Sequence, residues 1–129
     1  MTKEKILTME AGEELDRTIA ESLGYTVVKS SSTGKLEILL LQEDTGAYFF
    51  QSELPKYSTD LSAASQVLNE LKKEWDCIIL LWDVCAWDIV LENYDTHKKF
   101  YLGKESGMTY EGLPKAICMT ALLVRLEKP

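Results

Sequence analysis

The sequence is poor in the residues from which small catalytic and metal sites are usually built. It holds one histidine, His97, and three cysteines, Cys77, Cys85 and Cys118, with no CxxC spacing among them. That set excludes the usual zinc frameworks, and an odd thiol count argues against a disulfide scaffold. Reduced thiols in a cytosol are the expectation. No Pro- or Gly-rich and no low-complexity stretch argues for disorder. Long apolar runs are missing as well. The longest, residues 77–82, falls far short of the ~20 residues of a bilayer span. Near the start, only Ile6-Leu7 follows Met1-Thr2-Lys3-Glu4-Lys5 before Thr8 interrupts, which is no signal-peptide core. Positive charge is scarce too: 14 Lys and Arg against 21 Asp and Glu leave a formal net charge of −7, a field that disfavours broad binding to nucleic acid or to anionic membrane surfaces.

What is present describes an ordinary globular chain. A length of 129 residues with 46% apolar and 27% charged side chains predicts one domain over 1–129 with a sizeable core. Ala11, Leu15, Ile19 and Leu23 recur four apart and predict a helix over 10–23, with Gly24 at its C′ position and a short helical turn ahead of it capped by Thr2. Residues 25–29 and 35–41 are β-rich and flank the polar turn Ser30-Ser31-Ser32-Thr33-Gly34, so they read as a hairpin. Residues 47–50 read as a short strand before Pro55. Ser58-Thr59-Asp60 offers caps for a helix carrying Leu61, Ala64, Leu68 and Leu71. The run 77–82 reads as a strand buried on both faces, 87–92 as an alternating strand, and 98–102 as a third strand after the turn at 93–96. Pro114 suits the first turn of a last helix with Ile117, Ala121 and Val124 in one stripe and Cys118, Leu122 and Arg125 beside it. Short links between successive strands require antiparallel pairing. The fold class expected is α+β, a central antiparallel sheet covered by helices in a helix-sheet-helix sandwich.

Three segments together carry a family resemblance: Gly12-Glu13-Glu14-Leu15-Asp16 with Ala20-Glu21 and Gly24; Tyr57-Ser58-Thr59-Asp60-Leu61 with Ala63-Ala64; and Pro114-Lys115-Ala116-Ile117-Cys118 with Ala121-Leu122. In this order they resemble the phage ABA sandwich domain family of small phage- and prophage-encoded proteins. The chain departs from that pattern between Ser30 and Glu53, where the hairpin is enlarged, and at Ser65, where an aromatic is expected. The resemblance implies a helix-sheet-helix sandwich from a phage or prophage genome; it brings no enzymatic activity and no functional residues with it.

The near-misses to chemical motifs have structural readings. Ser32-Thr33-Gly34-Lys35 looks like the end of a phosphate-binding loop, but Lys29 and Leu36 stand where that motif needs Gly and Ser or Thr. Trp75-Asp76, Trp82-Asp83 and Trp87-Asp88 repeat a pair that core aromatics at strand ends explain, or that a pocket stacking a flat ligand would use. Cys85 and Cys118 have no histidine nearby in sequence and read as buried, inert thiols. The candidate ligand-binding set is Trp87, Tyr94, His97, Lys98, Lys99, Tyr101 and Lys104, donors and stacking faces gathered in an acidic chain. Charged strand edges that block aggregation are the plain alternative. No catalytic residue, metal or cofactor is expected. The expected function is capture, by a cytoplasmic phage accessory protein, of a small molecule such as a nucleotide immune signal. The alternative is inhibition of a host protein through the acidic surface, and a homo-oligomer is compatible with both.

Overall fold

A computed structural model describes residues 2–41, 48–83, 86–102 and 112–127. The elements are α1 (Lys3–Thr8), α2 (Glu13–Ser22), β1 (Thr26–Lys29), β2 (Leu36–Leu41), β3 (Tyr48–Glu53), α3 (Leu61–Leu71), β4 (Cys77–Asp83), β5 (Ala86–Glu92), β6 (Lys99–Leu102) and α4 (Leu113–Glu127). The class is α+β, and every strand pair is antiparallel. The strands form two three-stranded meanders, β1-β2-β3 and β4-β5-β6.

Local chemistry sets the ends of the helices. Thr2 Oγ1 accepts from Lys5 N at 3.2 Å and Asp60 Oδ1 from Ser62 N at 3.0 Å, each satisfying an amide that has no partner inside its helix. At the end of α2, Gly24 takes φ +96°, and the amides of Gly24 and Tyr25 return to the carbonyls of Glu21 and Ala20. This paired closure needs a left-handed residue at C′, which glycine adopts without a Cβ clash.

α4 departs from the single-stripe reading. Every residue from Ala116 to Val124 is buried, including Met119, Thr120 and Leu123 on the faces the stripe leaves out. The reason is its central place: α4 packs against α1, α2, α3 and β5 at once, so it has no solvent face over that stretch. Ile6, Leu15, Ile19, Ile89 and Leu91 close around it as the core.

The second departure is β4. The apolar run predicts a strand buried on both faces, yet β4 lies at the edge of its sheet and Ile79 is 41% exposed. Cross-strand register explains it. Ile78, Leu91 and Phe100 align and face the core, whereas Ile79, Val90 and Tyr101 align on the opposite, outer face. With the strands divided into two sheets, this outer face carries no helix among the described elements.

The chain is also built twice over. A helix followed by a three-stranded meander occurs first as α2-β1-β2-β3 and again as α3-β4-β5-β6, with α4 closing both. Residues of β2 and β5 correspond at a separation of 51: Glu37 with Asp88, Ile38 with Ile89 and Leu39 with Val90. Ile38 and Ile89 are both buried.

Candidate functional site

The turn between β5 and β6, residues 93–98, carries most of the candidate residues. Its shape comes from its own side chains: Asn93 N donates to Lys98 O at 2.9 Å, Thr96 N to Asn93 Oδ1 at 2.9 Å, and Lys98 N to Thr96 Oγ1 at 3.4 Å. The turn at 30–35 repeats this pattern, with Ser30 N to Lys35 O at 2.8 Å, Thr33 N to Ser30 Oγ at 3.3 Å and Lys35 N to Thr33 Oγ1 at 3.2 Å. Both turns need one residue in the left-handed region. The first uses Gly34 at φ +73°, and the second uses His97 at φ +58°. A side chain in that conformation costs about 1–2 kcal/mol relative to glycine, less for the few residue types that tolerate it.

The turn is anchored at its base. Asp76 Oδ2 accepts from Tyr94 N at 2.7 Å, and Asn93 Nδ2 donates to Glu74 O at 2.8 Å, so the segment leading into β4 holds the β5–β6 connection. The Tyr94 phenol, itself exposed, meets the half-buried Cys77 thiol. Its hydrogen bond with Cys77 is the largest cause, and with the nearby carboxylates of Glu92 and Asp76 it holds the phenol pKa above its ordinary value. Tyr94, His97, Lys98 and Lys99 are all exposed, and Lys99 and Tyr101 extend the cluster along the outer face of β6. Glu92 stands opposite Lys99 in register, so carboxylates are interleaved with the cations.

Trp87 does not belong to this group. It alternates with Asp88 onto the inner face and packs against the core with Ile89 and Leu91, away from Tyr101. Lys104 and Cys85 lie outside the described residues. Cys77 is half-buried at the start of β4.

A buried polar cluster elsewhere has no counterpart in the motif reading. Asp16, 5% exposed on α2, accepts from Ser58 N at 2.8 Å and from Ser58 Oγ at 2.7 Å, while Gly12 N donates to Ser58 Oγ at 2.9 Å. Ser58 thus stands in for the side-chain cap that Gly12 lacks, tying the start of α2 to the loop before α3. The signal in the sequence was an acidic residue in the core register of a helix, at Asp16 beside Leu15 and Ile19. Burial, followed by the Asp16 charge, pushes the Cys118 thiol up to about 12, and burial also pushes the Tyr57 phenol up to about 12. Both therefore remain protonated at neutral pH, and the Ser58 proton is committed to a carboxylate with no imidazole beside it. The cluster acts as a structural tie.

On the helical side a groove of about 260 Å³ between α2, α3 and α4 is lined by Val67, Leu71, Ala121 and Val124 together with Lys73 and Arg125. Among the described residues no group of three or more His, Cys, Asp or Glu side chains is placed to hold a metal ion. No described helix is long and apolar enough to cross a membrane. No family model, curated protein or solved structure matches the chain.

His97→Gly is expected to leave stability unchanged or raise it by up to about 1 kcal/mol, as relief of the left-handed strain offsets glycine's extra freedom in the unfolded chain. Urea denaturation of the two proteins checks this. A loss above about 1 kcal/mol would show that the imidazole is itself a structural contact of the turn.

Proposed function

We propose that this protein works by binding rather than by catalysis, through the surface formed by Tyr94, His97, Lys98, Lys99 and Tyr101. The observation that carries the reading is the pair of matched turns. Where one turn meets its left-handed requirement with Gly34, the other places the chain's single histidine there, among lysines and exposed tyrosines. Strain retained at such a position is a recurrent mark of functional surfaces. The ligand class that suits it is a small anion with a flat face: the cations and imidazole meet phosphate, and the phenols stack on a base. A nucleotide fits that description. With the resemblance to phage ABA sandwich proteins, the concrete version is a phage or prophage accessory protein that sequesters a nucleotide immune signal in the cytoplasm of the host cell.

A second reading is favoured by one observation. The described cavities line other parts of the molecule, and ligand sites are ordinarily concave. An open cluster with interleaved Glu92 and Asp76 suits a host protein surface instead, as expected of an inhibitor. Calorimetric titration with AMP, cyclic dinucleotides and ADP-ribose separates the two. Binding that falls about tenfold or more in Lys98→Ala with Lys99→Ala, and again in Tyr94→Ala, supports nucleotide capture. No heat and no thermal shift with any of them removes that version. Salt-sensitive enrichment of one host protein on the immobilised chain, lost in Tyr94→Ala, would then carry the inhibitor reading.

A further inference from the structure

An edge strand presents unpaired backbone N–H and C=O groups to any chain able to pair with them, and proteins usually blunt such edges by shortness or charge. Two of the four edges here are blunted: β1 and β6 are four residues long and carry Lys29 and Lys99. β3 and β4 are longer and charged only at their last residues, Glu53 and Asp83, but β3 also carries the polar Gln51 and Ser52, and β4 is apolar throughout residues 77–82. β4 is therefore the barest edge. It runs for seven residues, is uncharged until Asp83, and has no hydrogen-bonded strand on its far side among the described residues. Its counterpart in the first repeat is β1, which occupies the same place in its meander. One position in the fold thus occurs twice, once protected as an edge and once not.

We propose that β4 pairs antiparallel with β4 of a second copy of this chain about a two-fold axis, giving one continuous six-stranded sheet. A strand paired with itself in this way offers matching donors and acceptors along its whole length, about 24 Å for seven residues. Its charge also suits a copy. Two chains of net charge −7 repel over much of their surfaces, and the uncharged strand is where they approach at least cost. The outer row of Ile79, Val90 and Tyr101 completes the argument, since joining the sheets sets two such rows side by side. Ile79, 41% exposed in the single chain, then gains a neighbour across the joint. A foreign strand would have to be equally long and equally free of charge on both faces, and β4 of another copy already is. The inference stands on edge chemistry and holds whether or not the Tyr94 turn takes a nucleotide.

Sedimentation velocity between about 1 and 100 μM tests it on the full chain. The wild type is expected at twice the chain mass. Ile79→Lys should weaken self-association by about 100-fold or more, because it brings two charges together at the joint. Thr26→Lys, at the matching place in β1, should leave the dimer intact. A wild type that stays at single-chain mass, or any assembly that Ile79→Lys does not weaken, overturns the proposal. Should Ile79→Lys fail to fold, amide exchange on the wild type decides: protection of residues 77–83 that rises with protein concentration supports the pairing, and protection independent of concentration overturns it.

Discussion

Asp16→Ala is expected to cost about 3 kcal/mol of folding stability, enough to lower the urea midpoint clearly. The argument starts from burial. Asp16 is 5% exposed and takes two hydrogen bonds from one residue, the Ser58 amide at 2.8 Å and the Ser58 hydroxyl at 2.7 Å. Alanine leaves that amide without its acceptor in a place water does not reach, and a stranded buried donor costs more than the net value of the bond it lost. The hydroxyl can turn toward Gly12 O, now 3.4 Å away, so part of the loss is recovered. Asp16→Asn keeps one acceptor oxygen and should cost about half as much. A second readout follows from the charge. With Asp16 neutral, the smaller of the two influences on Cys118 disappears, and its thiol pKa should move downward while staying above the usual range because burial remains. A loss below about 1 kcal/mol in Asp16→Ala would show that the cluster is not the tie between α2 and α3.

Met119→Lys is expected to abolish folding, and Met119→Ala to cost about 3 kcal/mol. The amphipathic reading of the last helix gives the opposite expectation, since Met119 lies off the stripe of Ile117, Ala121 and Val124. The structure buries Met119 completely, and α4 is enclosed by three helices and β5. A lysine there has no route for its ammonium to reach water, and alanine leaves a cavity among side chains that cannot all collapse. Arg125→Ala, at an exposed position nearer the end of the same helix, should change stability by less than about 0.5 kcal/mol. Circular dichroism with thermal melting distinguishes the cases. Folded Met119→Lys protein with a near-normal melt would return α4 to the surface.

The repeat was present in the sequence as well as in the fold. At a separation of 51, Ile38 matches Ile89, Leu40 matches Leu91, Asp44 matches Asp95, Thr45 matches Thr96 and Phe49 matches Phe100. It is hard to see because the first hairpins differ in length: Lys29 pairs with Leu36 across a six-residue link, while Asp83 pairs with Ala86 across two residues. The register in β2–β3 also slips between Leu40 and Leu41. Such changes shift an alignment without changing the topology, because antiparallel ladders absorb loop-length differences at their ends.

The turn at 93–98 was legible as a cluster of donors and aromatics, since those residues are consecutive. The position of Trp87 was not. Alternation alone separates 87 from 88, but only pairing with β6 shows that Tyr101 aligns with Val90 and so lies on the other face from Trp87. The Asp16–Ser58 tie was hidden for a related reason: its partners are 42 residues apart, and neither belongs to a motif.

By itself the sequence determined the local elements and the fold class. The spacing of Leu15 and Ile19, the caps at Thr2 and Asp60, the left-handed glycines and the short links that demand antiparallel strands all act within a few residues of one another. Tertiary structure alone decided which faces meet. It divided six strands into two sheets, drew α4 into the centre, and left β4, the most apolar strand, at an edge with Ile79 in the open. Periodicity records how many faces of an element are apolar, and burial depends on what arrives to cover them, which distant parts of the chain or a second molecule must supply.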